Sequence, residues 1–153
     1  MYQIDFHKPL HVHFIGIGGI SMSSLAHILL HSGKKVSGSD TAKTHLTDEL
    51  EALGAKISIG QRAENITNPD LVVYTAAISD DNEELCAARN KGIRCIERAY
   101  LLGEIMKRYG MPIAVSGTHG KTTTTSMLAH VLLSADADPT VTVGGELDAI
   151  GGN

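Results

Sequence analysis

The sequence predicts an α/β fold in which a parallel sheet carries helices on both faces. Three observations predict it. Short apolar runs alternate with helically periodic stretches along the first 110 residues. Glycine closes four of those helical stretches, at Gly33, Gly54, Gly92 and Gly110. Two glycine-rich loops each follow an apolar run and open a helical pattern. Parallel strands need a crossover, usually a helix, so strict alternation of the two periods reads as βαβ units.

In order, residues 1–10 read as a short extension, and His11-Val12-His13-Phe14-Ile15 is the first strand. Leu25, Ile28 and Leu29 mark one face of a helix that Gly33 ends. Residues 34–39 form a second strand, and Leu46, Leu50 and Leu53 mark a second helix ended by Gly54. Residues 56–59 form a third strand. Asn68-Pro69-Asp70 turns the chain into 71–74, an unbroken apolar strand buried on both faces. A helix over 82–90 ends at Gly92, and 93–96 returns as the fifth strand. A helix over 98–109, with Leu102, Ile105 and Met106 on one face, ends at Gly110. Residues 111–115 form a strand leading into a second loop, and a helix follows with Met127, Leu128, Val131 and Leu132 as its apolar face. Residues 140–143 suit one more strand before a glycine-rich end. The division is therefore 1–110, a nucleotide-binding domain, and 111–153. The latter is too short for a complete nucleotide-hydrolysing domain and is expected to be the truncated start of one.

Composition excludes several classes. The chain of 153 residues is 42% hydrophobic and 20% charged, enough to bury a core. A formal net charge of −4 argues against nucleic acid as a partner. The polar N-terminus lacks a signal-peptide pattern and no apolar run approaches a membrane span, which predicts a cytoplasmic protein that meets no membrane. Cys86 and Cys95, the two cysteines, have no metal spacing and read as buried free thiols.

The two loops carry the chemistry. Ser116-Gly-Thr-His-Gly-Lys-Thr-Thr-Thr-Thr125 has the order of parts of a phosphate-binding loop: strand, glycines, lysine, hydroxyl, helix. Gly117 and Gly120 let the backbone approach a polyphosphate, Lys121 adds a positive charge, and Thr122 offers a hydroxyl to magnesium. The loop is a variant of G-x-x-x-x-G-K-[ST], because Val115 stands where the first glycine belongs. Gly16-Ile17-Gly18-Gly19-Ile20-Ser21 resembles the dinucleotide fingerprint G-x-G-x-x-G, with serine last, which makes the predicted sheet Rossmann-like. Asp40, 21 residues after Gly19, sits where an acid that binds ribose belongs. By itself this loop suits NAD, FAD or a UDP-sugar, or serves only strand–helix packing. A dehydrogenase has no need of the lysine loop and a simple ATPase no need of the first. An enzyme that uses ATP to join a nucleotide-linked substrate to another molecule needs both.

Together the motifs resemble the Mur ligase family of peptidoglycan synthesis. The residues that carry the resemblance are His13-Phe-Ile-Gly-Ile-Gly-Gly19, Ser37-Gly-Ser-Asp40, Ala76-Ala-Ile-Ser79 with Asp81-Asn82, Arg98-Ala99, Gly117-Thr-His-Gly-Lys-Thr-Thr-Thr124 and Gly144-Gly145. The branch they are most similar to joins L-alanine to UDP-N-acetylmuramate. The branch that recycles murein tripeptide is the nearest competitor, and it typically carries cysteine where Gly18 stands here. The resemblance implies an ATP- and magnesium-dependent amide ligase working through an acyl phosphate. It implies a UDP-binding first domain and the beginning of an ATP-binding central one, a fragment inactive alone. Lys121 and Thr122 would be catalytic, Thr122 as a magnesium ligand. Gly117, Thr118, His119, Gly120, Lys121, Thr122 and Thr123 would line ATP. Gly16, Gly18, Gly19, Ser39, Asp40, Ala77, Ile78 and Ser79 would surround the UDP-sugar. The chain departs from the family at Ser21, where glycine is usual, and at Ala76, where a second hydroxyl is usual. A non-catalytic nucleotide-binding module is the reading from another class.

Other clusters read as structural. His27 and His31, four residues apart, suit the solvent side of a helix better than a metal. His119 either contacts substrate or phosphate or shapes its turn. Asp80, Asp81, Glu83 and Glu84 lie at a helix start, where acids favour the dipole.

Overall fold

The computed structural model describes residues 4–145. The chain forms two compact units, Met1–Tyr109 and Gly110–Asn153.

The first unit holds five strands, β1 (His11–Ile15), β2 (Lys35–Asp40), β3 (Lys56–Ile59), β4 (Leu71–Tyr74) and β5 (Arg94–Glu97). The helices between and after them are α1 (Ile20–His31), α2 (His45–Ala52), α3 (Glu83–Asn90) and α4 (Arg98–Met106). Every pairing is parallel and the order is β3-β2-β1-β4-β5. The chain reverses its direction of travel between β1 and β4, which makes their carboxyl ends the switch point of the sheet.

Strand alternation sorts the core onto two faces. Val12, Phe14, Leu71 and Val73 pack with Met22, Leu25 and Leu29 of α1, Leu50 of α2, and Leu101 and Ile105 of α4. Ile15 and Val72 face the other way, onto Leu85 and Ala88 of α3 and onto Ile66. Helices thus cover both faces, as the sequence predicts. Local chemistry sets the ends. Thr44 and Thr47 form a reciprocal cap on α2, and the Asn82 carboxamide accepts the N–H groups of Glu84 and Leu85 at 3.1 Å to start α3.

Several boundaries differ from expectation. Gly33, Gly54 and Gly92 end helices with positive φ, whereas α4 stops at Met106 and Gly110 plays no such part. Residues 4–10 are more than an extension: Ile4 and Phe6 enter the core, and the Ile4 N–H donates to Glu104 Oε2 at 3.4 Å. A 3-10 turn at Ala63–Asn65 went unpredicted because three residues leave no periodicity to read. Cys86 and Cys95 are free but only half-buried, and burial pushes the Cys95 thiol up.

The second unit holds α5 (Lys121–Ser134) and a small cluster of Ala129, Val143 and Val141. Residues 111–115 and 140–143 lie in no strand here, contrary to expectation. A strand is a property of a pair, and neither segment has a ladder partner among the described residues. On α5 the predicted apolar face is turned outward in part, with Met127 66% and Val131 64% exposed. Periodicity reveals a stripe; it does not say what covers it.

Two predictions follow from the first unit. A Cβ on Gly38 in β2 would lie 2.7 Å from Ile17 Cδ1 and 2.8 Å from the Phe14 carbonyl oxygen, so Gly38→Ala should lower stability by about 1–3 kcal/mol in thermal denaturation. Burial, aided by Lys35, His13 and Lys56 and opposed by Asp70, holds His11 below its ordinary 6.5, keeping the ring neutral in the fold. Stability should therefore be full above 6.5 and fall as pH drops through the lower folded value, and His11→Gln should flatten that dependence in melts across the range.

Candidate functional site

The first glycine loop is tied to the end of β2. Gly16, with φ of 83°, turns the chain away from β1. The N–H groups of Gly16 and Ile17 both donate to the Ser39 carbonyl, at 2.8 and 2.9 Å. The Gly18 N–H donates to Asp40 Oδ2 at 2.8 Å, while Asp40 Oδ1 accepts the Thr41 N–H at 2.7 Å. These loop amides bond within the protein, and at 3.3 Å the Gly16 carbonyl takes the N–H of Gly19. That residue is the N-cap of α1 in extended conformation, with no side-chain cap over the helix start.

Gly18 supplies room rather than a donor. A Cβ there would sit 2.9 Å from Asp40 Oδ2 and 3.2 Å from Thr47 Cγ2. Ser39 also differs from expectation: its side chain is fully buried and its hydroxyl donates to Glu84 Oε2 at 2.5 Å, away from the loop. What Ser39 brings to the loop is its carbonyl.

A residue outside the predicted set joins the loop. Arg98 opens α4 directly after β5, and its Nη1 donates to Ser21 Oγ in the first turn of α1 at 2.7 Å. The hydroxyl where the family usually has glycine therefore holds a guanidinium beside an uncapped helix start. The signal was in the sequence, as Arg98-Ala99 within the resemblance, but no spacing linked position 98 to position 21. Ala77, Ile78 and Ser79 lie in the loop after β4, at the carboxyl end of the strand next to β1. The Ile78 N–H donates to the Thr75 carbonyl at 3.0 Å and the Ala77 N–H to Thr75 Oγ1 at 3.3 Å, so the hydroxyl kept at Thr75 serves the turn.

In the second unit the lysine loop runs from Gly117 into α5. Gly120 is the N-cap with φ of 76° and ψ of 2°, a left-handed geometry that favours glycine. Lys121 Nζ donates to the carbonyls of Gly117 at 2.6 Å and Thr118 at 3.2 Å, holding the ammonium over its own loop. Thr118, His119, Thr122 and Thr123 are exposed. This donor set fits a polyphosphate: α5 starts without a side-chain cap, with lysine and threonine in its first turn.

No group of three or more metal-ligating side chains occurs among the described residues. His27 and His31 are exposed, with rings stacked at 4.3 Å. No helix among the described residues is long and apolar enough to cross a membrane.

Residues 11–110 match the model described as Mur ligase family, catalytic domain, and residues 115–153 match the Mur ligase middle domain. The chain is 62% identical over 152 residues to UDP-N-acetylmuramate–L-alanine ligase of Clostridium kluyveri, covering 99% of this chain and 33% of that protein. It is 59% identical to the enzyme of that name from Acetivibrio thermocellus, covering 98% of this chain and 32% of that one. The crystal structure of UDP-N-acetylmuramate-alanine ligase MurC from Thermotoga maritima superposes with a TM-score of 0.86 at 41% identity, over 92% of this chain and 33% of that one. A murein peptide ligase from Psychrobacter arcticus gives 0.77 at 36% identity, over 83% and 27%. The chain spans about a third of the length of the curated relatives it matches.

Asp40→Ala removes the acceptor for two backbone N–H groups. Hydrogen exchange at the Gly18 and Thr41 amides should accelerate, and stability should fall by about 1–3 kcal/mol in denaturant titration.

Proposed function

Because the chain belongs to the Mur ligase family, we propose that it carries the UDP-sugar site and the beginning of the ATP site of an enzyme that joins L-alanine to UDP-N-acetylmuramate in peptidoglycan synthesis. The observation that carries the reading is the loop at the sheet's switch point. Gly19 leaves the start of α1 uncapped, and Arg98 stands over it on Ser21. A helix start with an arginine beside it suits a diphosphate. In this reading Gly16, Gly18 and Gly19 shape the cradle, Ser39 and Asp40 hold it, and Ala77, Ile78 and Ser79 border it. Asp40 Oδ1 accepts both the N–H and the hydroxyl of Thr41 and Oδ2 accepts the Gly18 N–H, which leaves acceptor capacity on Oδ2 for a ribose hydroxyl.

In the lysine loop, Gly117, Thr118, His119, Gly120, Lys121, Thr122 and Thr123 would hold ATP, with the Thr122 hydroxyl as one magnesium ligand. Bound there, ATP with magnesium would supply the phosphoryl group that activates the substrate carboxylate as an acyl phosphate for attack by an amine. Lys121 would exchange its own loop carbonyls for phosphate oxygens, so its charge meets the transferring group. The sequence supports a cytoplasmic location.

Gly18 favours the alanine-adding branch over tripeptide recycling. A cysteine at this position would drive its Cβ into the Asp40 carboxylate unless Asp40 and Thr47 moved.

Titrated by calorimetry, the chain should bind UDP-N-acetylmuramate and give no heat with NAD, and Lys121→Ala should leave the UDP-sugar affinity unchanged. Heat from NAD with none from the UDP-sugar would overturn the reading. A non-catalytic module and a ligase fragment both predict this binding. They separate when the chain is part of a protein of its relatives' length, where only the ligase makes UDP-N-acetylmuramoyl-L-alanine in a coupled assay.

A further inference from the structure

A buried carboxylate stands behind the first glycine loop. Glu84 lies in the first turn of α3 and, unlike its exposed neighbour Glu83, is 0% exposed. Its Oε2 accepts the Ser39 hydroxyl at 2.5 Å, and its Oε1 accepts Asn65 Nδ2 at 2.5 Å. Asn65 Nδ2 also donates to the Gly60 carbonyl at 2.8 Å, just past β3. On the β1 side, His13 Nε2 stands 3.8 Å from Oε2 and has no hydrogen-bond partner of its own. The other nitrogen of His13 lies 2.9 Å from Ser37 Oγ, which is also 2.8 Å from His11 Nε2. One hydroxyl serves both rings if Ser37 donates its proton to His13 Nδ1 and accepts the His11 Nε2–H. That leaves the His13 Nε2–H facing the carboxylate.

Burying a carboxylate costs several kcal/mol unless it is fully partnered, and an apolar side chain of similar size would fill the space at less cost. The geometry supplies a reason for keeping it. Ser39 is the residue whose carbonyl takes both the Gly16 and Ile17 N–H groups. Its neighbour Gly38 has no side chain to brace the strand end, because Ile17 occupies that space. The Ser39 side chain is thus the anchor of this end of β2 on the α3 face, and Glu84 is what it is anchored to.

We propose that Glu84 is a positioning residue for the first glycine loop, acting through Ser39 to set the loop's place at the head of α1 and hence the affinity of that site for a UDP-sugar. The ligand part rests on the reading of this loop as the UDP-sugar site; the loop part does not.

The test uses Glu84→Gln, Ser39→Ala and their combination in this chain. It reads UDP-N-acetylmuramate affinity by calorimetry, amide exchange at Gly16 and Ile17, and melting temperature. Each single variant should bind about tenfold more weakly, and the pair should lose little more than either alone, because both cut one chain of contacts. Exchange at Gly16 and Ile17 should rise in each. Leu85→Ala, a cavity in the same α3 core, should lower the melting temperature while leaving affinity and those two amides as they were. If Glu84→Gln does not fold, Ser39→Ala decides alone. Wild-type affinity and protection in either folded variant, or losses that multiply in the pair, would overturn the proposal. If the unaltered chain binds no UDP-sugar, the reading of the site fails, and the exchange measurements still decide the role of Glu84.

Discussion

One carbonyl oxygen organises this protein's candidate site. Ser39, next to last in β2, has two amides hanging from its carbonyl, those of Gly16 and Ile17. Those bonds stop β1 from continuing as a strand and turn the chain into α1. The crowding around them follows. Gly38 is glycine where Ile17 folds down over it, and at Gly18 a side chain would have to displace Asp40. The amides of Gly16, Ile17 and Gly18 find acceptors in β2 or its last side chain, and that of Gly19 in the Gly16 carbonyl, as buried donors must. The helix start just beyond carries no side-chain cap, and its positive end is what an anion can use.

The two faces of the sheet do different work. One is a conventional apolar core under α1, α2 and α4. The other, under α3, mixes Ile15, Val72 and Leu85 with a buried polar set of His13, Ser37, Ser39 and Glu84. Partnered polar groups in low-dielectric surroundings hold geometry more tightly than apolar contacts, and in this set each side-chain polar atom but His13 Nε2 is partnered. That the polar set lies beneath Ser39, rather than elsewhere under the sheet, connects the core of the first unit to the shape of its loop. The second unit is built otherwise. Its lysine loop has its shape from Gly120 and from Lys121 bonding its own carbonyls, with a core of three small side chains beneath. Such a segment keeps a loop's local geometry without much packing to defend it.

Much of the fold was legible because it is local. The 71–74 strand and the 56–59 strand match their apolar runs residue for residue, and three of the four expected glycines end helices in left-handed geometry. The first glycine loop lies between a strand and a helix, as its spacing predicts, and the lysine loop opens a helix where expected but without the strand before it. Glu84 lies at a helix start, as the sequence predicts, but its burial is not legible there. Among Asp80, Asp81, Glu83 and Glu84 the sequence shows four equivalent acids at a helix start, and only the turn of α3 against the sheet selects the one that points inward. Arg98 and Ser21 are 77 positions apart, a distance no motif spans.

By itself the sequence determined the alternation of strand and helix, the two glycine loops and the family they resemble, since each depends on residues close together in the chain. Tertiary structure decided which groups those loops spend on the protein and which they leave open. It turned the Ser39 hydroxyl inward to Glu84, used the Gly18 amide on Asp40 and brought Arg98 to Ser21. It also left 111–115 and 140–143 outside any strand, for a strand exists only where a second one pairs with it. Hydrogen-bond partners and burial are set by which surfaces meet, and strands that meet in the order β3-β2-β1-β4-β5 bring together residues that the chain keeps far apart.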